Sequence, residues 1–85
     1  VRSGVLWCTM LLDPALDGPR VAFAIGRHSG IAVERNRARR RCREVLRMTT
    51  FPPGLYLIGL TRPAHEVSFS QLRTSVTGLR SRISL

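Results

Sequence analysis

The segment from Arg27 to Arg47, RHSGIAVERNRARRRCREVLR, constrains the fold more than any other. It holds eight arginines in 21 residues, opposed only by Glu34 and Glu44. At about 100° per residue, Ala38, Cys42, Val45 and Leu46 fall within about 100° of one another. They make one narrow apolar stripe. The spacing predicts a helix from Ile31 or Ala32 to about Met48, after a break at Ser29-Gly30 and before a turn at Phe51-Pro52-Pro53-Gly54. A helix with a single stripe needs a flat apolar surface to lie on.

Short apolar runs supply that surface. Val5 to Leu12 (VLWCTMLL) reads as a buried strand that stops at Asp13-Pro14, and Asp13 to Pro19 carries loop residues. Arg20 to Arg27 (RVAFAIGR) alternates. Its large side chains, Val21, Phe23 and Ile25, are predicted to face the core. Ala22, Ala24 and Gly26 face the other way, and their small size suits either a packed helix or an extended ligand strand. Leu55 to Thr61 reads as another buried strand, and Arg62 to Glu66 as a loop. The last helix has a capping box, Ser68 with Gln71, and a staple, Val67 with Leu72. Phe69, Leu72, Val76, Leu79 and Ile83 follow at helical spacing. Gly78 within it weakens the helix by about 1 kcal/mol relative to Ala. The order strand, strand, helix, strand, helix predicts an α+β fold: a two-layer sandwich of a small sheet with helices on one face. The strand–helix–strand unit from Arg20 to Thr61 would by the general rule cross over right-handed.

At 85 residues and 9.5 kDa the chain, 1–85, is expected to be one domain, and its 44% hydrophobic content excludes wholesale disorder. Net charge is +9 and pI about 11.7, all of the basic residues being arginine. Such an excess points to a polyanion, nucleic acid or an acidic membrane surface, and guanidinium chemistry favours the former. Codon usage would account for the arginine preference equally well. Cys8 and Cys42 have no metal-site or disulfide spacing and are expected to be buried thiols in a reducing, cytoplasmic setting. His28 and His65 match no ligand spacing. No run of 18 apolar residues exists to span a membrane. The chain begins with Val, and is therefore expected to be a fragment or trimmed.

Within the basic helix, pairs such as Arg35–Arg39, Arg37–Arg41 and Arg39–Arg43 repel by a few tenths of a kcal/mol each. Phosphates would neutralise them, whereas a merely solvated face would mix signs. Asn36 gains little in a helix interior, which favours a specific hydrogen-bonding task. Arg35 sits at the edge of the apolar stripe, where an internal link competes with RNA contact. Trp7, Phe23 and Tyr56 are candidates for stacking or for the core. The carboxylates Asp13, Asp17, Glu34, Glu44 and Glu66 form no acid/base pair or metal cluster, so no catalytic or metal-binding residue is nominated. The residues alone leave a general RNA-binding or ribosomal protein as the main alternative. A DNA-binding module and a protein-only nuclease rank lower.

The run Gly30, Ala32, Val33, Arg35-Asn36-Arg37, Arg39-Arg40 and Arg43-Glu44 resembles the "RNR" region of the bacterial ribonuclease P protein subunit, roughly K-K-x-G-x-A-V-x-R-N-R-x-K-R-x-x-R-E. Arg20-Val21-Ala22-Phe23 resembles that family's R-V-G-F strand. Tyr56 to Pro63 resembles the strand that closes with A-R-P, and Ser68-Phe69 to Leu72 the start of its last helix. The resemblance implies an RNA-binding subunit of an endoribonuclease in which a catalytic RNA, using its own magnesium, removes the 5′ leader from precursor tRNA. It implies ribonuclease P RNA and precursor tRNA as partners, with no membrane or small-molecule substrate and no cofactor held by the protein. It implies RNA contact by Arg27, His28, Arg35, Asn36, Arg37, Arg39, Arg40, Arg43 and Arg62, and a leader cleft beside Ala22, Ala24 and Gly26. It also implies a left-handed β-α-β crossover, against the general rule. Departures are Arg27-His28 in place of Lys-Lys and Ile31 in place of a common Asn. The family's aromatic-bearing N-terminal helix is expected to be lacking.

Overall fold

The computed structural model describes residues 1–83. Strands β1 (Arg2–Ser3), β2 (Leu6–Leu12), β3 (Pro19–Phe23) and β4 (Gly54–Leu60) form one sheet in the order β1-β2-β4-β3, with helices α1 (Ala32–Arg47) and α2 (Phe69–Ser81). The sheet is mixed. β2 runs antiparallel to β1 and β4, and β3 runs parallel to β4. A parallel pair needs a crossover, and α1 provides it.

The first apolar run is not the first strand. Gly4 and Val5 make a two-residue turn that folds Arg2-Ser3 back onto Leu6-Trp7. Gly4 takes φ 55°, which glycine adopts without steric cost. β1 then lies against α2. Ser75 Oγ accepts the Val5 N–H at 3.0 Å and donates to the Gln71 carbonyl at 2.7 Å, tying the turn to the helix. Gly78 has its explanation here, because a side chain at that position would run into the Ser3 hydroxyl.

α2 begins as its sequence predicts. Ser68 Oγ accepts the Gln71 N–H at 3.1 Å, and Gln71 Oε1 accepts the Ser68 N–H at 2.8 Å. Val67 and Leu72 are both buried. Leu72, Val76 and Leu79 are fully buried, and Ile83 closes the same face just past the helix end. Ala38, Cys42 and Val45 are the buried residues of α1, as the stripe requires. Both helices cover one face of the sheet, where Leu6, Cys8, Ile25, Tyr56, Ile58 and Leu60 complete the core.

Three expectations are corrected. The runs at Val5–Leu12 and Leu55–Thr61 read as buried strands. In fact the second face of the sheet is open among the described residues, and leaves Leu11, Leu55 and Leu57 64%, 47% and 41% exposed. A continuous apolar run signals two-sided cover only when a second layer is present. The alternating strand at Arg20–Arg27 stops at Phe23 rather than Arg27. Its ladder ends with the Ala24 N–H donating to the Ile58 carbonyl at 2.8 Å. A 3-10 turn over Arg27–Ser29 follows, closed by Ser29 N–H to the Gly26 carbonyl at 2.9 Å. The two faces of β3 also differ from expectation. Ile25 is buried, but Val21 is 39% exposed because β3 is the outermost strand of the sheet. Among the described residues no helix covers the small face. A second 3-10 turn, Ala64–Glu66, occupies the loop before α2. No helix of the described residues is long and apolar enough to cross a membrane.

Candidate nucleic-acid interface

α1 carries seven arginines, and its packing sorts them. The stripe of Ala38, Cys42 and Val45 faces the core, so the remaining circumference divides into two flanks with Arg40 and Glu44 exposed between them. On the flank beside β3 lie Asn36, Arg39, Arg43 and Arg47. On the flank beside the 64–66 turn, Arg37 and Arg41 line a small hollow with Glu34, His65 and Val67. The residue spacing alone places Arg37 and Arg41 beyond the main basic sector. The fold gives them a wall of their own.

The electrostatics of this surface are lopsided. Among the described residues no guanidinium lies within salt-bridge distance of a carboxylate; the one approach of a basic side chain to a carboxylate is His65 Nε2 to Glu66 Oε2 at 3.9 Å. Glu34, which could have paired with Arg37 or Arg41, instead turns its Oε1 to accept the Ile31 N–H at 3.3 Å. That carboxylate sits at the positive end of the α1 dipole, where it stabilises the helix. The basic flanks are thus left uncompensated for an external anion.

Two arginines are spoken for internally. Arg39 donates from Nη2 to the Ile25 carbonyl at 2.9 Å and from Nη1 to Asn36 Oδ1. It clamps α1 to the chain leaving β3, and it accounts for the polar side chain at Asn36. The internal link weighed for Arg35 therefore falls to its neighbour one turn on. Arg35 itself is half-buried, and its Nε has no acceptor among the described residues. Arg80 on α2 donates from Nε to the Thr50 carbonyl at 2.7 Å and secures the turn after α1.

Other nominated residues are scattered. Arg27 and His28 are exposed on the 3-10 turn that leads into α1, close to its N-terminus. Arg62 does not join the α1 surface; it lines a groove with Gly4, Val5, Gln71 and Thr74. Ala22 is on the open sheet face. Ala24 and Gly26 are half-buried beyond the strand end. Tyr56 is withdrawn from stacking, since it is buried and its hydroxyl donates to the Pro52 carbonyl at 2.7 Å. Phe23 is half-buried beneath Arg43. Trp7 lies across Gly59 on the open face, where any side chain at 59 would strike the indole.

That open face was missed by reading strands as buried. Thr9, Leu11, Leu55, Leu57, Arg20 and Ala22 border a shallow apolar depression of about 390 Å³. The signal that could have found it is Arg20 itself, a charged residue in the phase of Ala22 on an alternating strand. Among the described residues there is no cluster of three or more metal-ligating side chains.

Comparison with known proteins agrees with this arrangement. The sequence matches the profile of the family described as Ribonuclease P over residues 3–84. It is 40% identical over 78 residues to a ribonuclease P protein component of Chloroflexus aggregans, covering 86% of this chain and 58% of that protein. It is 42% identical over 69 residues to that of Symbiobacterium thermophilum, covering 78% of this chain and 60% of that protein. The chain thus spans about three-fifths of the length of these curated relatives. The fold resembles the Staphylococcus aureus RNase P protein, with TM-score 0.76, 19% identity and coverage of 92% and 73% of the two chains. It also resembles the Thermotoga maritima RNase P protein in complex with 1-(4-fluorophenyl)-2-thiourea, with TM-score 0.84, 21% identity and coverage of 99% and 84%.

Proposed function

The chain belongs to the ribonuclease P protein family, and from that premise we propose that it is the RNA-binding subunit of ribonuclease P, assisting a catalytic RNA in removing the 5′ leader from precursor tRNA. The observation that carries this reading is the uncompensated arginine surface of α1. Seven guanidiniums on one helix, none paired with a carboxylate among the described residues, favour a phosphate partner that offsets their mutual repulsion. Arg37, Arg40, Arg41 and Arg47 meet the RNA backbone, and Arg43 stands among them on the same surface. Arg27 and His28 extend the same surface from the preceding turn. Arg39 and Asn36 act mainly by holding the helix in place.

The open sheet face suits the single-stranded leader. Its floor is apolar and its edge carries Arg20, a combination that lets bases lie on side chains while a charge tracks the backbone. Trp7 at one end of this face offers a ring for stacking. The chemistry of cleavage belongs to the RNA and its magnesium. The protein supplies affinity and orientation, in the cytoplasm of a bacterial cell.

Binding to ribonuclease P RNA tests the reading. The unsubstituted chain should bind that RNA with strong salt dependence. Arg37→Ala and Arg40→Ala should each weaken binding and flatten the slope of log K against log salt by roughly 0.7–0.9. A chain that binds this RNA no better than an unrelated RNA, or variants that leave the slope unchanged, would overturn it.

A further inference from the structure

A second groove lies on the helix-covered side of the sheet, between the outer strand β3 and the C-terminal half of α1. Val21, Phe23, Arg43, Leu46 and Arg47 line it, around a hollow of about 250 Å³. That is the volume of roughly eight waters in the liquid, room for one aromatic heterocycle. Its floor is apolar, made by the exposed side of Val21 and by half-buried Leu46. Its wall is cationic. Arg43 Cζ lies over the Phe23 ring, 5.4 Å from the centroid. Arg47 follows one helical turn later.

A plain phosphate contact explains only part of this. Phosphate gains nothing from Val21 and Leu46, and a flexible surface arginine needs no aromatic beneath it. The ring attracts the guanidinium and restricts its orientation. Arg43 is nonetheless exposed, so the side of the guanidinium away from Phe23 is left to solvent. An arginine held in this way offers a flat cationic surface on which a base can stack. The local charge selects the occupant: Arg43 and Arg47 are without carboxylate partners among the described residues, which suits a polyanion.

We propose that this groove binds an unpaired nucleobase of the RNA partner. The base stacks on the open face of Arg43 and rests against Val21 and Leu46, while Arg47 meets the adjoining phosphate. Phe23 is a positioning residue that holds Arg43 and does not itself touch the base. The inference rests on the reading that α1 faces RNA. It adds a base contact to what is otherwise a backbone surface, on the opposite side of the sheet from the open face assigned to the leader.

Conservative substitution separates base from phosphate. The full chain is titrated with a short single-stranded oligouridylate and with an RNA duplex of equal phosphate number. Arg43→Lys keeps the charge and loses the planar surface. It should lower affinity for the single strand roughly fivefold or more and leave duplex affinity unchanged, given the usual worth of stacking on a base. Phe23→Leu should reproduce that loss without altering the salt slope. Arg73→Lys, at an exposed arginine of α2 outside the groove, should bind both RNAs like the unsubstituted chain. Thermal melting checks Phe23→Leu for folding, and Arg43→Lys is a surface change that tests the idea independently.

Equal single-strand affinity for Arg43→Lys and the unsubstituted chain would overturn the proposal, as would equal losses on both RNAs. An oligoglutamate peptide whose binding falls in Arg43→Lys, while single-strand RNA binding does not, would assign the groove to an acidic protein segment instead. Failure of the wider functional reading shows separately, as absence of preferential binding of ribonuclease P RNA by the unsubstituted chain.

Discussion

Replacing Arg39 by alanine removes two hydrogen bonds at the point where α1 meets the end of β3. Nη2 reaches the carbonyl of Ile25 at 2.9 Å, and Ile25 is itself buried. Nη1 reaches Asn36 Oδ1. A hydrogen bond from a charged donor is worth about 1.5–3 kcal/mol. Arg39 is half-buried, so water replaces part of what is lost and an expected cost of about 1–2 kcal/mol follows. In a domain of this size each kcal/mol moves Tm by about 4–8 °C, so the variant should melt roughly 5–15 °C lower. Arg40→Ala provides the contrast, because Arg40 is exposed and makes no internal hydrogen bond among the described residues. Its stability should change by no more than about 0.5 kcal/mol. Scanning calorimetry of the two variants, with ribonuclease P RNA titrations beside it, separates the roles. If Arg39→Ala melts with the unsubstituted chain and loses RNA affinity as Arg40→Ala does, then Arg39 is a phosphate contact and the clamp is without consequence.

Ser75→Ala should cost about 1–3 kcal/mol, seen as a lower midpoint in urea, because the buried Val5 N–H loses its acceptor. Cys42 should make stability fall at high pH. Burial pushes its thiol from 9.0 up to about 11, against a smaller opposing influence of Arg43. Below pH 9 the thiol is neutral in both states. Between about 9 and 11 the unfolded chain ionises first, so up to roughly 2–3 kcal/mol is lost, and Cys42→Ala should show a shallower decline over that window. Burial raises Cys8 and Tyr56 in the same direction, so a slope remains in that variant. Leu57→Asp, on the open sheet face, should reduce the preference of the reconstituted enzyme for precursor over mature tRNA while leaving binding to ribonuclease P RNA unchanged; equal preference in both would remove the leader from that face.

The parts of the fold legible in the sequence are those set by local chemistry. The capping box at Ser68 and Gln71 and the stripe at Ala38, Cys42 and Val45 depend on residues a few positions apart, and both helices begin where expected. What depended on distant residues was not legible. The turn at Gly4 shows only in the fold, where Ser75 bonds to Val5. The open sheet face reads as core because Leu11, Leu55 and Leu57 are the residues a buried strand would carry. The candidate site shows the same division. The arginine-rich helix and the separation of Arg37 and Arg41 from its main basic sector were plain, but the hollow those two share with His65 and Val67 was not. Nor was the employment of Arg39 as a clamp, which needs the position of the Ile25 carbonyl. Gly78 looked like a flaw in a helix and is instead the contact point for Ser3.

Cleavage of precursor tRNA by ribonuclease P RNA at low magnesium, with and without the chain, tests the central claim most directly. The RNA alone should be slow under those conditions, the chain alone should release no leader, and the two together should cleave at the mature 5′ end at a raised rate. Acceleration should weaken in Arg37→Ala and Arg40→Ala at a salt concentration where the unsubstituted chain still acts. Leader removal by the chain in the absence of RNA, or a rate with the chain no greater than that of the RNA alone, would contradict the account.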